Sequence, residues 1–219
     1  MKTSNYIVIA FVVFIIGGIL VLFITDKNHE EKCLSDTYPL DGFSVIVAEP
    51  GARFQVRNEA KDFIELCAMG EKKVPVDLYR IDNDTLFLSS NSIAWKTVTV
   101  FCSGLSSINA KDSSRVLLKD FRSGNLHIEA DRAHVSIEYS HLPDVSIIAG
   151  NESHIKIQNT KASSTDIHGN HSFVYLYSSA IDSLSVTLMN KTSFSAYDNR
   201  INTMLIRKDQ TGWCSFSGH

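Results

Sequence analysis

The sequence predicts an all-β fold: a single-stranded right-handed parallel β-helix of about 20 residues per coil, preceded by one N-terminal transmembrane helix. Three observations carry this expectation. Residues 6–24, "YIVIAFVVFIIGGILVLFI", are 19 positions without a charge. Between residues 43 and 102, short runs alternate apolar and polar side chains, the period of a half-buried strand. From about residue 105 onward the same pattern returns every 19 or 20 residues, and a fixed period of that size marks a solenoid.

At the helical rise, the N-terminal run spans roughly 28 Å, close to a hydrocarbon core. A cleaved signal peptide has a shorter apolar region and a small-x-small site after it. Here "TDKNHEEKC" follows, and Cys33 is preceded by Glu-Glu-Lys rather than by the small residues of a lipoprotein signal. Residues 1–25 therefore read as an uncleaved signal anchor. Lys2 precedes the span, and Asp26, Lys27, Glu30, Glu31 and Lys32 follow it. The positive-inside rule puts the N-terminus in the cytoplasm and the C-terminal domain in the periplasm or on the cell surface. Residues 26–41 are polar and read as a tether, and residues 42–219 as the β-helical domain.

Within that domain, "FSVIV", "ARFQV", "FIELCA", "VPVDLYRI", "DTLFLSS" and "KTVTVFC" are strand-like runs assigned to the first coils and a cap. "DND" at 82–84 reads as a tight turn. The repeat then sorts into columns. Ile108, Ile128, Ile147, Ile167, Val186 and Ile206 form the first. Val116, Val135, Ile155, Val174, Phe194 and Cys214 form the second, and Leu118, Ile137, Ile157, Leu176, Ala196 and Phe216 the third. Between the two strands of each unit stands Asp112, Asp131, Asn151, Asn170, Asn190 or Asp209. These residue types suit turns, because their short side chains bond the backbone ahead and tolerate left-handed geometry. Phe121, Leu142, Ala162, Ile181 and Ile201 make a fifth column, on a third side expected to be irregular. One unit cannot bury its apolar face alone; stacking at about 4.8 Å puts like over like and makes a continuous core. The right hand is the one favoured for parallel crossovers.

The order of "FSVIVAEPGARFQV", "DTLFLSS" and "KTVTVFCSGLSSINAKDSSRVLL", followed by the coils, resembles the auto-transporter adhesin head (GIN) domain family of bacterial envelope proteins. The resemblance covers residues 43–219. Leu105 and Ile108 fall in the family's "L-x-x-I-x-x-x-G" passage, but Asp112 and Ser113 stand where glycines are usual. The resemblance implies a β-helical envelope domain and carries no catalytic residues.

Chemistry-bearing patterns are few. A net charge of −3 leaves no basic footprint for nucleic acid. Nucleophile elbows, P-loops, HExxH and dinucleotide fingerprints do not occur. The Asp members of the turn column could be paired carboxylates for glycoside cleavage. Half the column is Asn, however, so turn capping is the better reading. His134 and His154 share an outward column one coil apart, too few for zinc; they read as surface histidines. Cys33, Cys67, Cys102 and Cys214 permit disulfides in an exported domain, but no CxxC or metal spacing occurs, so buried apolar side chains are the plain reading. Sequons at Asn83, Asn151, Asn170 and Asn190 fit the Asn, Ser and Thr content.

The best functional lead is aromatic. In "HSFVYLYSS", Val174 and Leu176 belong to the inward columns, so Phe173, Tyr175 and Tyr177 must point out. Tyr197 lies on the next coil and Trp213 two coils along in the Phe173 column. Such a ladder can simply stabilise a sheet face, or it can be an interaction patch. The expectation is a single-pass envelope protein with a non-catalytic adhesion, scaffold or glycan- or protein-binding role, without metal or cofactor. The alternatives are a self-polymerising scaffold and a polysaccharide-active enzyme.

Overall fold

The computed structural model describes residues 34–68, 78–90, 95–122 and 124–218. The expected anchor lies outside these residues; among them, no helix is long and apolar enough to cross a membrane.

The described chain is all strand and turn. In order the strands are β1 (Leu34–Pro39), β2 (Val45–Ala48), β3 (Arg53–Asn58), β4 (Phe63–Ala68), β5 (Tyr79–Asp82), β6 (Thr85–Leu88) and β7 (Trp95–Cys102). The repeat supplies β8 (Ser107–Lys111), β9 (Arg115–Lys119), β10 (Leu126–Asp131), β11 (His134–Glu138), β12 (His141–Gly150) and β13 (His154–Gln158). It continues with β14 (Lys161–Asn170), β15 (Phe173–Tyr177), β16 (Ala180–Met189), β17 (Ser193–Tyr197), β18 (Arg200–Lys208) and β19 (Trp213–Ser217). They form two sheets. One runs β1-β4-β7-β3-β9-β11-β13-β15-β17-β19, the other β18-β16-β14-β12-β10-β8-β2-β6-β5.

From β8 onward each coil places one strand in each sheet, and all neighbouring pairs there are parallel. The first three expected columns are in register. Ile128 pairs with Ile108 and Ile147, Ile167 with Ile147 and Val186, and Val186 with Ile206. In the other sheet, Val174 lies between Ile155 and Phe194, and Leu176 between Ile157 and Ala196. All six of these side chains are buried.

The N-terminal strands build a further coil and a cap. β2 and β3 stack directly on β8 and β9. The later strands β6 and β7 stack on their far side, so the first coil in sequence is internal in the stack. Beyond them, β4 pairs antiparallel with β7, and β5 antiparallel with β6. The expected turn at 82–84 closes that hairpin, with Asn83 and Asp84 both at positive φ, the requirement of a two-residue hairpin loop. Strand β1, drawn from the segment read as tether, forms the sheet edge beside β4.

The alternation of 19 and 20 residues has a local cause. At the turn between sheets, Asp112–Ser113, Asn151–Glu152 and Asn190–Lys191 place two residues at positive φ. The intervening coils use one such residue, Arg132 or His171. The extra turn residue comes and goes while the strand register stays. The opposite corner uses one left-handed residue per coil: Asp120, Tyr139, Asn159, Ser178 and Asp198. Just inside it runs a polar ladder. Ser140 Oγ accepts from Phe121 N (3.2 Å) and donates to Glu138 O (3.0 Å). Ser179 Oγ does the same with Thr160 N (3.2 Å) and Tyr177 O (2.8 Å). Each hydroxyl thus satisfies backbone groups that a buried corner would otherwise strand.

Three expectations are corrected. The third side is not irregular. β12, β14 and β16 are ten residues long and carry it in register, with Leu142, Ala162, Ile181 and Ile201 in one column. Period-two alternation fails there because each strand bends: Leu142 and Val145 are both buried, three positions apart. Phe121 does not belong to that column. Arg122 pairs with His141, which sets Phe121 beside Ser140 at the corner. It is nonetheless fully buried. The cysteine reading holds for Cys102, a buried free thiol pushed up to about 12 by burial and by the nearby Asp62 charge. It fails for Cys67, which is disulfide-bonded.

Candidate functional site

The outer face of the odd-strand sheet gathers the chemistry-bearing side chains. On β15 the five residues alternate half-buried and buried. Val174 and Leu176 have no exposure, so Phe173, Tyr175 and Tyr177 face outward as parity requires. Parallel in-register strands set each outward residue against its counterpart one coil away.

Two stacks result. The Tyr175 and Tyr177 rings lie 6.2 Å apart with nearly parallel planes, and Tyr177 stacks on Tyr197 at 5.3 Å. Tyr197, 36% exposed, opens this trio to solvent. The second stack runs along the neighbouring column. His134 stacks on His154 and His154 on Phe173, each at 4.7 Å with near-parallel planes. Trp213 shares that column but Ser193 stands between it and Phe173. It is 58% exposed. Of the five expected residues the structure therefore brings three into one stack, puts Phe173 in another, and leaves Trp213 apart on the same face.

His134 and His154 are surface groups, as expected, and the structure adds that their rings stack on one another and on Phe173. The signal was present: they precede Phe173 in its own column. Burial of the His134 ring against its neighbour, then the charges of His154 and Arg115, hold its pKa below the ordinary histidine value and favour its neutral form. Toward β3 the same column continues through Arg115 to Arg53. A groove of about 380 Å³ lies there, lined in part by Arg53, Gln55, Arg115, His134 and Glu138. Beside the rings, Lys156 Nζ meets Glu138 at 3.1 Å. The face thus grades from cationic to aromatic along the solenoid.

A second concavity, about 490 Å³, follows the turn edge past Asn151, Asn170, His171, Asn190, Lys191 and Thr211. Its polar groups are largely committed to one another. Asn190 Nδ2 donates to Asn170 Oδ1 and Asn151 Nδ2 to Asp131 Oδ1, both at 2.8 Å. Arg132 Nε donates to Asp112 Oδ1 at 2.7 Å. Asp209 accepts from the backbone N–H groups of Asn190, Thr211 and Gly212, each at 2.8 Å, and from the Thr211 hydroxyl. These bonds pull its pKa down to about 2. An acid so depressed is a poor proton donor near neutrality. Asp209 therefore caps its own turn, while the carboxylates of Asp112 and Asp131 are engaged by Arg132 and Asn151. Among the described residues, no group of three or more His, Cys, Asp or Glu side chains is placed to hold a metal ion.

No family model and no curated protein matches the chain. Among solved structures it is similar to a "putative adhesin" of Bacteroides fragilis, with TM-score 0.47 and 14% identity over 87% of this chain and 98% of that one. A "putative adhesin" of Parabacteroides merdae gives TM-score 0.40 and 13% identity, over 87% and 97% of the two chains. A "putative lipid binding protein" of Parabacteroides distasonis gives TM-score 0.42 and 12% identity, over 84% and 96%.

Proposed function

We propose that this protein is a non-catalytic envelope solenoid of the GIN type, held at a membrane by residues 6–24, whose ring face binds an extracytoplasmic glycan. The observation that carries the reading is the half-exposed stack of Tyr175, Tyr177 and Tyr197 on a rigid strand ladder. Flat rings offer large apolar faces at little entropic cost, which suits the apolar faces of sugars. The cationic groove at the head of the adjoining column would favour a glycan bearing carboxylate or phosphate. The disulfide at Cys67 supports an oxidising compartment, in keeping with the orientation read from the charges flanking the anchor.

A set of neutral and acidic polysaccharides incubated with the protein tests this reading. Retention of an acidic glycan at unchanged chain length is expected. Shortened products would favour the enzyme alternative, and retention of none would remove the glycan reading. Protease added from the extracytoplasmic side should digest the chain beyond residue 26 while residues 6–24 stay protected.

A further inference from the structure

We propose that the C-terminal end of the solenoid docks a second copy of the same chain, by antiparallel pairing of β19 with the second copy's β19 about Ser215. The two sheets end at β18 and β19, so both present a free backbone edge among the described residues. The inward columns stop there without a cover. Leu184 and Ala196 are buried, yet their successors Met204 and Phe216 are 44% and 49% exposed, and Ile201, Ile206 and Cys214, which follow buried Ile181, Val186 and Phe194, are half-buried. Between them opens a slot of about 340 Å³, lined by Ala196, Ile201, Met204 and Phe216 among others. A solenoid whose last coil shows its core is incomplete, and an open edge recruits another strand.

Charge identifies the occupant. At the opposite end, β1 carries Asp36 and Pro39, and β5 carries Arg80 and Asp82. Charges and proline on an edge strand block pairing. β18 carries Arg200, Arg207 and Lys208. Of the four end strands, only β19, "WCSFS", has neither a charge nor a proline. Its matching uncharged edge is another β19. Antiparallel pairing about Ser215 sets Cys214 opposite Phe216 of the second copy and Phe216 opposite its Cys214. All of these belong to inward columns, so the core would run on across the junction. A contact between identical strands is isologous and closes at two copies, whereas a head-to-tail stack would grow into a filament. The inference is independent of the glycan reading.

The test is the mass of the detergent-solubilised full chain by sedimentation velocity, together with two variants. The wild type should be a two-copy species. Phe216→Asp should halve that mass with an unchanged far-UV circular dichroism spectrum, since Phe216 is half-exposed within one copy. S215C, in a Cys214→Ser background, should give a reducible cross-linked pair, because directly opposed residues lie about 4.5–5.5 Å apart, within disulfide reach. A wild type that stays monomeric, or whose mass keeps growing with concentration, would overturn the proposal. So would a pair that survives Phe216→Asp and fails to cross-link through position 215. Should Phe216→Asp misfold, the cross-link alone decides.

Discussion

Tyr139 is the least comfortable residue of the repeat. It sits at φ 53°, in a corner column otherwise held by Asp, Asn and Ser. Left-handed geometry costs a side chain with a Cβ about 1–2 kcal/mol, from which glycine is free. Its ring is 55% exposed, so little packing is lost on its removal. Tyr139→Gly should therefore stabilise the domain by ~1 kcal/mol in a denaturant titration; a destabilised variant would mean that the ring holds the corner. His134 sets a pH dependence at the same scale. Its folded pKa is depressed, so the unfolded chain takes up the proton first as pH falls through about 6.5. Stability attributable to this residue is present above that pH and lost below it. The fall in melting temperature between pH 7 and pH 5 should be smaller in His134→Phe, which keeps a ring on His154 but cannot titrate. An equal fall in both proteins would remove His134 as the cause.

At the scale of elements, the stacked strands tolerate change in the turn but not under it. Ala48, Ala110, Ala130, Ala149 and Gly169 form a run of small residues in an inward column, flanked by Leu88 at one end and Leu188 at the other. Alanine at 169 looks harmless by column. A Cβ there would run into the Thr192 methyl of the buried turn residue in the next coil. Gly169→Ala should destabilise by about 1–3 kcal/mol, the usual cost of overpacking, and Thr192→Ser should restore part of it. A neutral Gly169→Ala would show that the coil spacing yields at this point. The same elements show what could be read beforehand. The inward columns of the two main faces were legible because period two and period 19–20 reinforce each other. The third side was not, because the strand bends after Leu142 and alternation breaks there. Phe121 was misplaced because the nearest apolar residue was assigned to the column, although its ring reaches the core from the corner. The ring positions followed from parity alone. Their division into two stacks did not, since that depends on how neighbouring side chains lie, and the histidines entered only once their column was followed to Phe173.

For the whole molecule, the fold divides labour between inside and outside. The buried columns and the corner hydroxyl ladder hold the coils together. The central claim of the proposed function is that the outer rings are surplus to folding and available to a partner. Stacked pairs on a sheet face are each worth roughly 0.2–1 kcal/mol. Replacing Tyr175, Tyr177 and Tyr197 together by serine removes two such pairs and should lower the melting temperature by no more than about 8 °C for a domain of this size. The most direct measurement is the melting temperature of that triple variant, read beside the retention of wild type and variant on an acidic polysaccharide. The account predicts a melt lowered by no more than about 8 °C, with retention lost. A melt lowered by more than about 10 °C, or retention equal to the wild type, would contradict it.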